Sequence, residues 1–300
     1  MKKSKTTISF ILAIFVMSLF GLLFPLTKIG YKAFDIQSDA IPDILLFAGL
    51  RFVVCGLIVC AYSFIKKEHI AAPKGKNVFN IFILGLVSIV LHYAFTYIGL
   101  STTDSSKTAL IKQLGVLLYV CFAFLFFKDE KFSVLKIVGG IVGFCGIIAI
   151  NYTSGGVSFS SGDLLIIGAS VCTVASKILS KYLVDDNSPF WITGISQLTG
   201  GIVLLAAALI MGGTLPTVNL FSVSIFVCIC AASIVSYTMC YALLRTFSLS
   251  KMFIIKFSEP LFACLFGAVL LGENIFKVQY LLAFVLISLG IFLGNRSEAK

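Results

Sequence analysis

The chain is 300 residues long, 59% hydrophobic and only 12% charged, whereas a water-soluble domain carries about a quarter charged residues. That balance excludes a soluble globular protein and leaves an all-α integral membrane protein. The formal net charge of +10 would suit an acidic partner, but the basic residues sort by side of the membrane (below), so nucleic-acid binding is not needed to explain it.

Hydropathy and turn residues predict ten spans, near 8–30, 44–65, 78–100, 106–127, 135–152, 162–184, 190–211, 221–244, 252–271 and 278–294. Each approaches the roughly 20 apolar residues that cross the hydrocarbon. The first, behind Lys2, Lys3 and Lys5, is long for a signal-peptide core and lacks a small-x-small cleavage site, so it reads as an uncleaved helix. Turn chemistry separates the spans at Ser38-Asp39 with Pro42, Ala72-Pro73-Lys74-Gly75, Ser154-Gly155-Gly156, Asn187-Ser188-Pro189 and Gly272-Glu273-Asn274. Gly139, Gly140, Gly143 and Gly146 of the fifth span follow no strand and precede no Gly-Lys-Ser/Thr, so they predict close helix packing and not a phosphate loop. Asn187 to Leu244 holds no Asp, Glu, Lys or Arg over 58 positions, room for two spans split near Gly212-Gly213. The nine cysteines all fall inside apolar spans without a CxxC pair, and with two scattered histidines they offer no metal or disulfide pattern; no cofactor is implied.

Lys and Arg set the orientation. A cytoplasmic N-terminus puts fifteen on the inner side (Lys2, Lys3, Lys5, Lys66, Lys67, Lys74, Lys76, Lys128, Lys131, Lys136, Lys181, Arg245, Lys251, Arg296, Lys300) and three at the outer (Lys32, Lys107, Lys277). Both termini are therefore expected in the cytoplasm, with the protein in a bacterial plasma membrane.

Two strings repeat. Ser106 to Lys112 reads SKTALIK and Ser250 to Lys256 reads SKMFIIK, 144 residues apart, each carrying its second lysine inside a span. With five spans per copy, tandem copies must be inverted, giving ten transmembrane helices as two repeats, 1–152 and 161–296, joined through Asn151 to Gly162. Lys112 then lies about six residues, roughly 9 Å, below the outer end of the fourth span, and Lys256 mirrors it above the inner end of the ninth. Inverted repeats with ionisable groups at membrane depth predict a transporter.

At the ninth span, Ser258-Glu259-Pro260-Leu261-Phe262 continuing to Leu270-Leu271-Gly272-Glu273 resembles the end-of-repeat signature of the EamA family, within the drug/metabolite transporter superfamily. Leu50-Arg51-Phe52 and Gly162-Asp163-Leu164-Leu165 are similar to that family's second span and the opening of its second repeat. The resemblance implies secondary transport of small metabolites, often outward. In the first repeat Gly115-Val116 stands where Glu-Pro is expected, and Phe127-Lys128-Asp129-Glu130 replaces Leu-Gly-Glu.

Ionisable groups inside spans cost roughly 2.5–3.5 kcal/mol each and are functional candidates: Lys28, Arg51, His92, Lys112, Lys177, Lys256 and Glu259. Lys28 and Lys177 lie near span ends and are expected to snorkel. Arg51 is expected to clamp backbone carbonyls or a carboxylate, as scaffold or as ligand. Lys256 and Glu259 share a helix face and are expected to pair. Glu259 is also the candidate proton-coupling residue, and Pro260 is expected to free a carbonyl mid-helix near Lys256. Lys112 has no acid on its own helix face and is left to carbonyls, water, a distant acid or a ligand anion. His92, Tyr93 and Tyr97 of the third span make a polar aromatic patch, Tyr237 and Tyr241 occupy the related eighth, and such rings are expected to line a cavity. Five interior cations against one carboxylate predict an anionic or carboxylate-bearing substrate, an amino acid or organic acid, bound between spans 1, 3, 4, 6, 8 and 9. No catalytic constellation is evident. The alternatives are an integral membrane enzyme, for which the short loops lack clustered His, Asp or Glu, and a structural subunit of a membrane complex. The remaining partners expected are the lipid bilayer and protons, in a monomer or homodimer.

Overall fold

The computed structural model describes residues 2–65, 73, 75–126, 133–150, 152–153, 156–157, 159–247, 249–256 and 258–296. Lys66, Lys67, Ala72, Lys74, Lys128, Lys131, Ser154, Gly155, Lys300 and the Phe127-to-Glu130 position lie outside the described residues.

The chain folds as α1 (Lys2–Ala33), α2 (Ile41–Ile65), α3 (Lys76–Gly85), a π-helical turn (Leu86–Leu91), α4 (His92–Thr102), α5 (Ser105–Ile111), α6 (Leu114–Phe122), a 3-10 turn (Ala123–Leu125) and α7 (Val134–Ile150). A two-residue hairpin, β1 (Tyr152–Thr153) with β2 (Gly156–Val157), leads to α8 (Ser161–Leu183), α9 (Pro189–Ile210), α10 (Leu220–Thr246), α11 (Leu249–Lys256), α12 (Glu259–Leu271) and α13 (Val278–Arg296). Helix starts follow local chemistry. Ser160 and Asp163 form a reciprocal capping box for α8, Asn219 and Ser222 do so for α10, and Pro189 opens α9 behind Ser188.

Among the described residues, six helical segments are long and apolar enough to cross a membrane: Ile8–Ala33, Ile41–Ile65, Lys76–Thr102, Ser161–Leu183, Pro189–Ile210 and Leu220–Thr246. Three shorter apolar helices accompany them, Ile137–Ala149, Glu259–Leu271 and Val278–Gly290. Large apolar side chains stand fully outward, among them Ile210, Leu220 and Phe276 at 85% exposure or more. That is the surface of a protein solvated by lipid, and the molecule is an integral membrane protein.

Between lipid-bathed helices burial of apolar surface drives little, so close packing through small residues carries the association. In α2 against α9, a Cβ at Gly56 would come within 2.4 Å of the Leu198 nitrogen and one at Gly201 within 2.6 Å of the Val53 nitrogen. Gly49 meets Leu205 and Gly194 meets Cys60 along the same line, so each step up one helix matches a step down the other, an antiparallel crossing. Helices α7 and α13 also cross antiparallel, with a Cβ at Gly290 within 2.4 Å of the Gly139 carbonyl and one at Gly146 within 2.9 Å of that of Ala283.

The fourth and ninth spans, expected to be continuous, are each broken at their lysine. α5 ends at Ile111, Lys112 and Gln113 form a turn closed by Gln113 N–H to the Leu110 carbonyl at 3.0 Å, and α6 begins at Leu114. α11 ends at Lys256 and α12 begins at Glu259. Both lysines sit where a half-helix exposes the negative end of its dipole, and Glu259 opens the positive end of the next. Pro260 therefore stands in the first turn of α12, where its missing N–H has no intrahelical partner to lose, and not mid-helix as the sequence suggested.

One end of the molecule is tied across many elements. Glu273 accepts from the backbone N–H groups of Ser105 and Ser106 at 2.8 and 2.9 Å and from the Ser106 hydroxyl at 2.6 Å. Lys107 pairs with Asp163 at 2.9 Å, and Thr214 N–H donates to Asp43 at 2.6 Å. At the other end Arg245 donates to the carbonyls of Val184 and Asn187, each at 2.7 Å, and Tyr182 to that of Phe126 at 3.1 Å.

Candidate functional site

A buried cavity is lined from α1 (Phe20, Phe24, Thr27), α2 (Arg51), the π turn and α4 (Ser88, His92, Tyr93, Thr96, Tyr97), the α5–α6 break (Lys112), α8 (Thr173, Ser176, Lys177), α10 (Tyr237, Cys240, Tyr241), α11 (Met252, Lys256) and α12 (Glu259). It thus gathers every singled-out residue except Lys28 and Pro260, at spans 1, 3, 4, 6, 8 and 9 with Arg51 of the second span added. Its volume is about 80 Å³, well below the roughly 300–1,000 Å³ of a small-molecule site. This conformation is narrow, and a metabolite needs it to widen.

The frame is two-fold. The Tyr237 hydroxyl donates to the Tyr93 hydroxyl at 2.8 Å across 144 residues, the interval that separates Lys112 from Lys256. The same interval relates Tyr97 to Tyr241 and Thr96 to Cys240. The related pair Tyr93 and Tyr237 thus touch on the cavity wall, with Phe20 edge-on to Tyr237 at 5.5 Å and Tyr93 edge-on to Tyr97 at 5.5 Å.

Apart from Lys112 and Lys256, the charged groups are not two-fold. Arg51 is fully buried and its Nε donates to Ser233 Oγ at 2.9 Å while Nη1 donates to the Tyr97 hydroxyl. Its guanidinium lies over the rings of Phe52, Tyr93 and Tyr97 at 4.6, 5.3 and 5.7 Å. The expected clamp on carbonyls or a carboxylate is absent among the described residues, and hydroxyls and aromatic faces hold the group instead. Nη2 has no hydrogen-bond partner among the described residues, nor has the Thr96 hydroxyl.

Lys112 is not alone, as its own helix face suggested: its ammonium meets His92 Nε2 at 3.2 Å and the Phe24 ring at 5.0 Å. His92 Nδ1 lies 3.0 Å from the Ala169 carbonyl and 3.1 Å from Thr173 Oγ1, whose own proton goes to Ala169. Nδ1 must therefore carry the imidazole proton, and Nε2 is the acceptor for Lys112. The π turn ending at Leu91 aims His92 at α8, a use of π bulges common at functional sites.

Lys256 and Glu259 form the expected ion pair. Lys177, expected to snorkel, turns inward, donating to Cys240 Sγ at 3.2 Å and facing the Tyr241 ring at 5.5 Å. Thr173, Ser176 and Cys240 were missed by sequence reasoning. The signal available was helical spacing: Thr173, Ser176 and Lys177 share one face of α8, and Ser88, His92 and Thr96 one face of the third span.

Three comparisons bear on identity. The family description "EamA-like transporter family" matches residues 7–152 and 160–296. A WAT1-related chloroplastic protein of Arabidopsis thaliana is 26% identical over 84% of this chain and 63% of its own length. The uncharacterized transporter YyaM of Bacillus subtilis is 28% identical over 54% of this chain and 53% of its own, so this chain spans less than two thirds of both. The uncharacterized inner membrane transporter YedA of Escherichia coli K12 is 26% identical over 93% of each chain. A crystal structure of a protein superposes with a TM-score of 0.65 over 96% of this chain and 97% of that one at 17% identity, a likeness of fold. The chain therefore belongs to the EamA-like transporter family.

Proposed function

We propose that the protein is a secondary transporter of small organic anions, working outward by alternating access through ten spans arranged as two inverted five-helix repeats, 1–152 and 161–296. The observation that carries the anion reading is the charge of the cavity. Arg51, Lys112, Lys177 and Lys256 line it with one carboxylate, Glu259, which Lys256 already holds. Arg51, Lys112 and Lys177 have no acidic partner among the described residues, and an electropositive, water-poor cleft concentrates anions. The antiparallel crossings of α2 with α9 and α7 with α13 support the inverted arrangement, since each couples the spans that the 144-residue repeat relates. Both termini face the cytoplasm of a bacterial plasma membrane in this reading. Glu259 is the proton-coupling residue: protonating it releases Lys256 at the break between α11 and α12.

The test is uptake into proteoliposomes of labelled organic acids and amino acids, with and without a proton gradient. Saturable anion transport that Lys112→Ala abolishes is the expected result, with the gradient's effect lost in Glu259→Gln. Transport confined to neutral or cationic solutes, unaffected by Lys112→Ala, would overturn the anion reading.

A further inference from the structure

The three cations without an ion-pair partner among the described residues stand on different elements, Arg51 on α2, Lys112 at the α5–α6 break and Lys177 on α8. Arg51 sits against Phe52, Tyr93 and Tyr97, and its Nη2, like the Thr96 hydroxyl, has no hydrogen-bond partner among the described residues, both residues lining the cavity. Lys112 lies beyond the rings of Tyr93 and His92, which themselves meet edge-on at 4.8 Å. His92 also contacts Thr173, one helical turn from Lys177 on α8. Arg51 and Lys112 thus mark two cationic poles linked through the Tyr93 and His92 rings, with Thr96 and Lys177 also on the cavity wall. Each ammonium has three N–H donors, and its polar partner among the described residues is a single one, His92 for Lys112 and Cys240 for Lys177.

We infer that the transported species is an organic dianion, its two acidic groups held apart by a short spacer, one taken by Arg51 Nη2 and Thr96 and the other by Lys112 and Lys177. This rests on the anion reading above and narrows it. A monoanion fills one pole and leaves buried donors at the other unpaired, which costs about what a lost charge-assisted hydrogen bond does. An amino acid fares worse, because its ammonium would have to lie near one pole, and Glu259 is already engaged by Lys256. The aromatic walls suit the spacer.

The test is a ladder of equal-length ligands on purified protein in lipid nanodiscs: α,ω-dicarboxylates of four to seven carbons, with the matching monocarboxylates, ω-amino acids and diols. Binding is read by thermal stabilisation and by displacement of a labelled dicarboxylate. One chain length of dicarboxylate is expected to bind roughly 10- to 100-fold tighter than its monocarboxylate. Arg51→Gln and Lys112→Gln are each expected to erase that preference, leaving dicarboxylate and monocarboxylate alike. Should Arg51→Gln fail to fold, Thr96→Val and Lys177→Gln sample the same two poles. Equal binding of monoanions and dianions would overturn the dianion inference while leaving the anion reading in place. Binding of diols or ω-amino acids alone would overturn both, and so would no binding by any member of the ladder to folded protein.

Discussion

At the scale of single residues, the family's Leu-Gly-Glu signature acquires a physical account. Gly272 ends α12 in the left-handed region, at φ 66°, which a glycine adopts without a Cβ penalty. The turn it makes sends Glu273 to the start of α5, where the carboxylate accepts two backbone N–H groups and one hydroxyl. Those N–H groups begin a half-helix only seven residues long, so they have little else to stabilise them. Glu273→Ala is expected to cost about 1–2 kcal/mol, seen as a melting temperature lower by a few degrees in detergent, and Glu273→Gln less, since one oxygen still accepts. No change in either would mean that the cap is redundant with Lys107–Asp163. At the same scale, Lys112 was legible as costly but not as paired. Its partner His92 lies twenty residues away on another helix, and no local pattern brings the two together.

At the scale of elements, the spans themselves were legible because length, apolarity and turn residues are local properties. The breaks were not. Nothing at Lys112-Gln113 reads as a turn, and there the half-helix stops without glycine or proline, whereas Pro260 in the ninth span read as a mid-helix kink and instead opens a new helix. The π turn before His92 is equally silent, since one extra residue in a turn leaves hydropathy unchanged. Helix contacts sort the glycines by consequence. Gly56→Ala would press a methyl onto the Leu198 backbone, which cannot yield as a flexible side chain does. A cost of about 1–3 kcal/mol is expected for that overpacking, against less than about 0.5 kcal/mol for Pro260→Ala in the first turn of α12. Urea or thermal unfolding of both variants in one lipid environment checks the order. A Gly56→Ala variant as stable as the parent would mean that α2 and α9 slide apart without loss.

At the scale of the whole molecule, the pattern that made the chain recognisable as a repeat also organises the cavity: Tyr93 with Tyr237, Tyr97 with Tyr241 and Lys112 with Lys256 are all separated by one interval. Symmetric residues build the frame, and Arg51, His92, Lys177 and Glu259 break the symmetry, so the frame suits the exchange of two faces and the asymmetric charges suit recognition. Alternating access on such a frame makes a sided prediction for Thr96 and Cys240, a related pair that both line the cavity. Thr96 lies six residues from the end of α4 and Cys240 six from the end of α10, which inversion puts at opposite faces. With Cys240 as the sole cysteine, a membrane-impermeant thiol reagent is expected to label from the cytoplasmic side. With Thr96→Cys as the sole cysteine, labelling is expected from the outside, and a bound substrate should slow both. Loosening the tied end through Lys107→Ala should speed labelling at position 96 and not at 240, because the Lys107–Asp163 pair spans the same end as Ser105 and Glu273. If both positions labelled from one side, the inverted reading of the two repeats would fail, while membership of the family would stand.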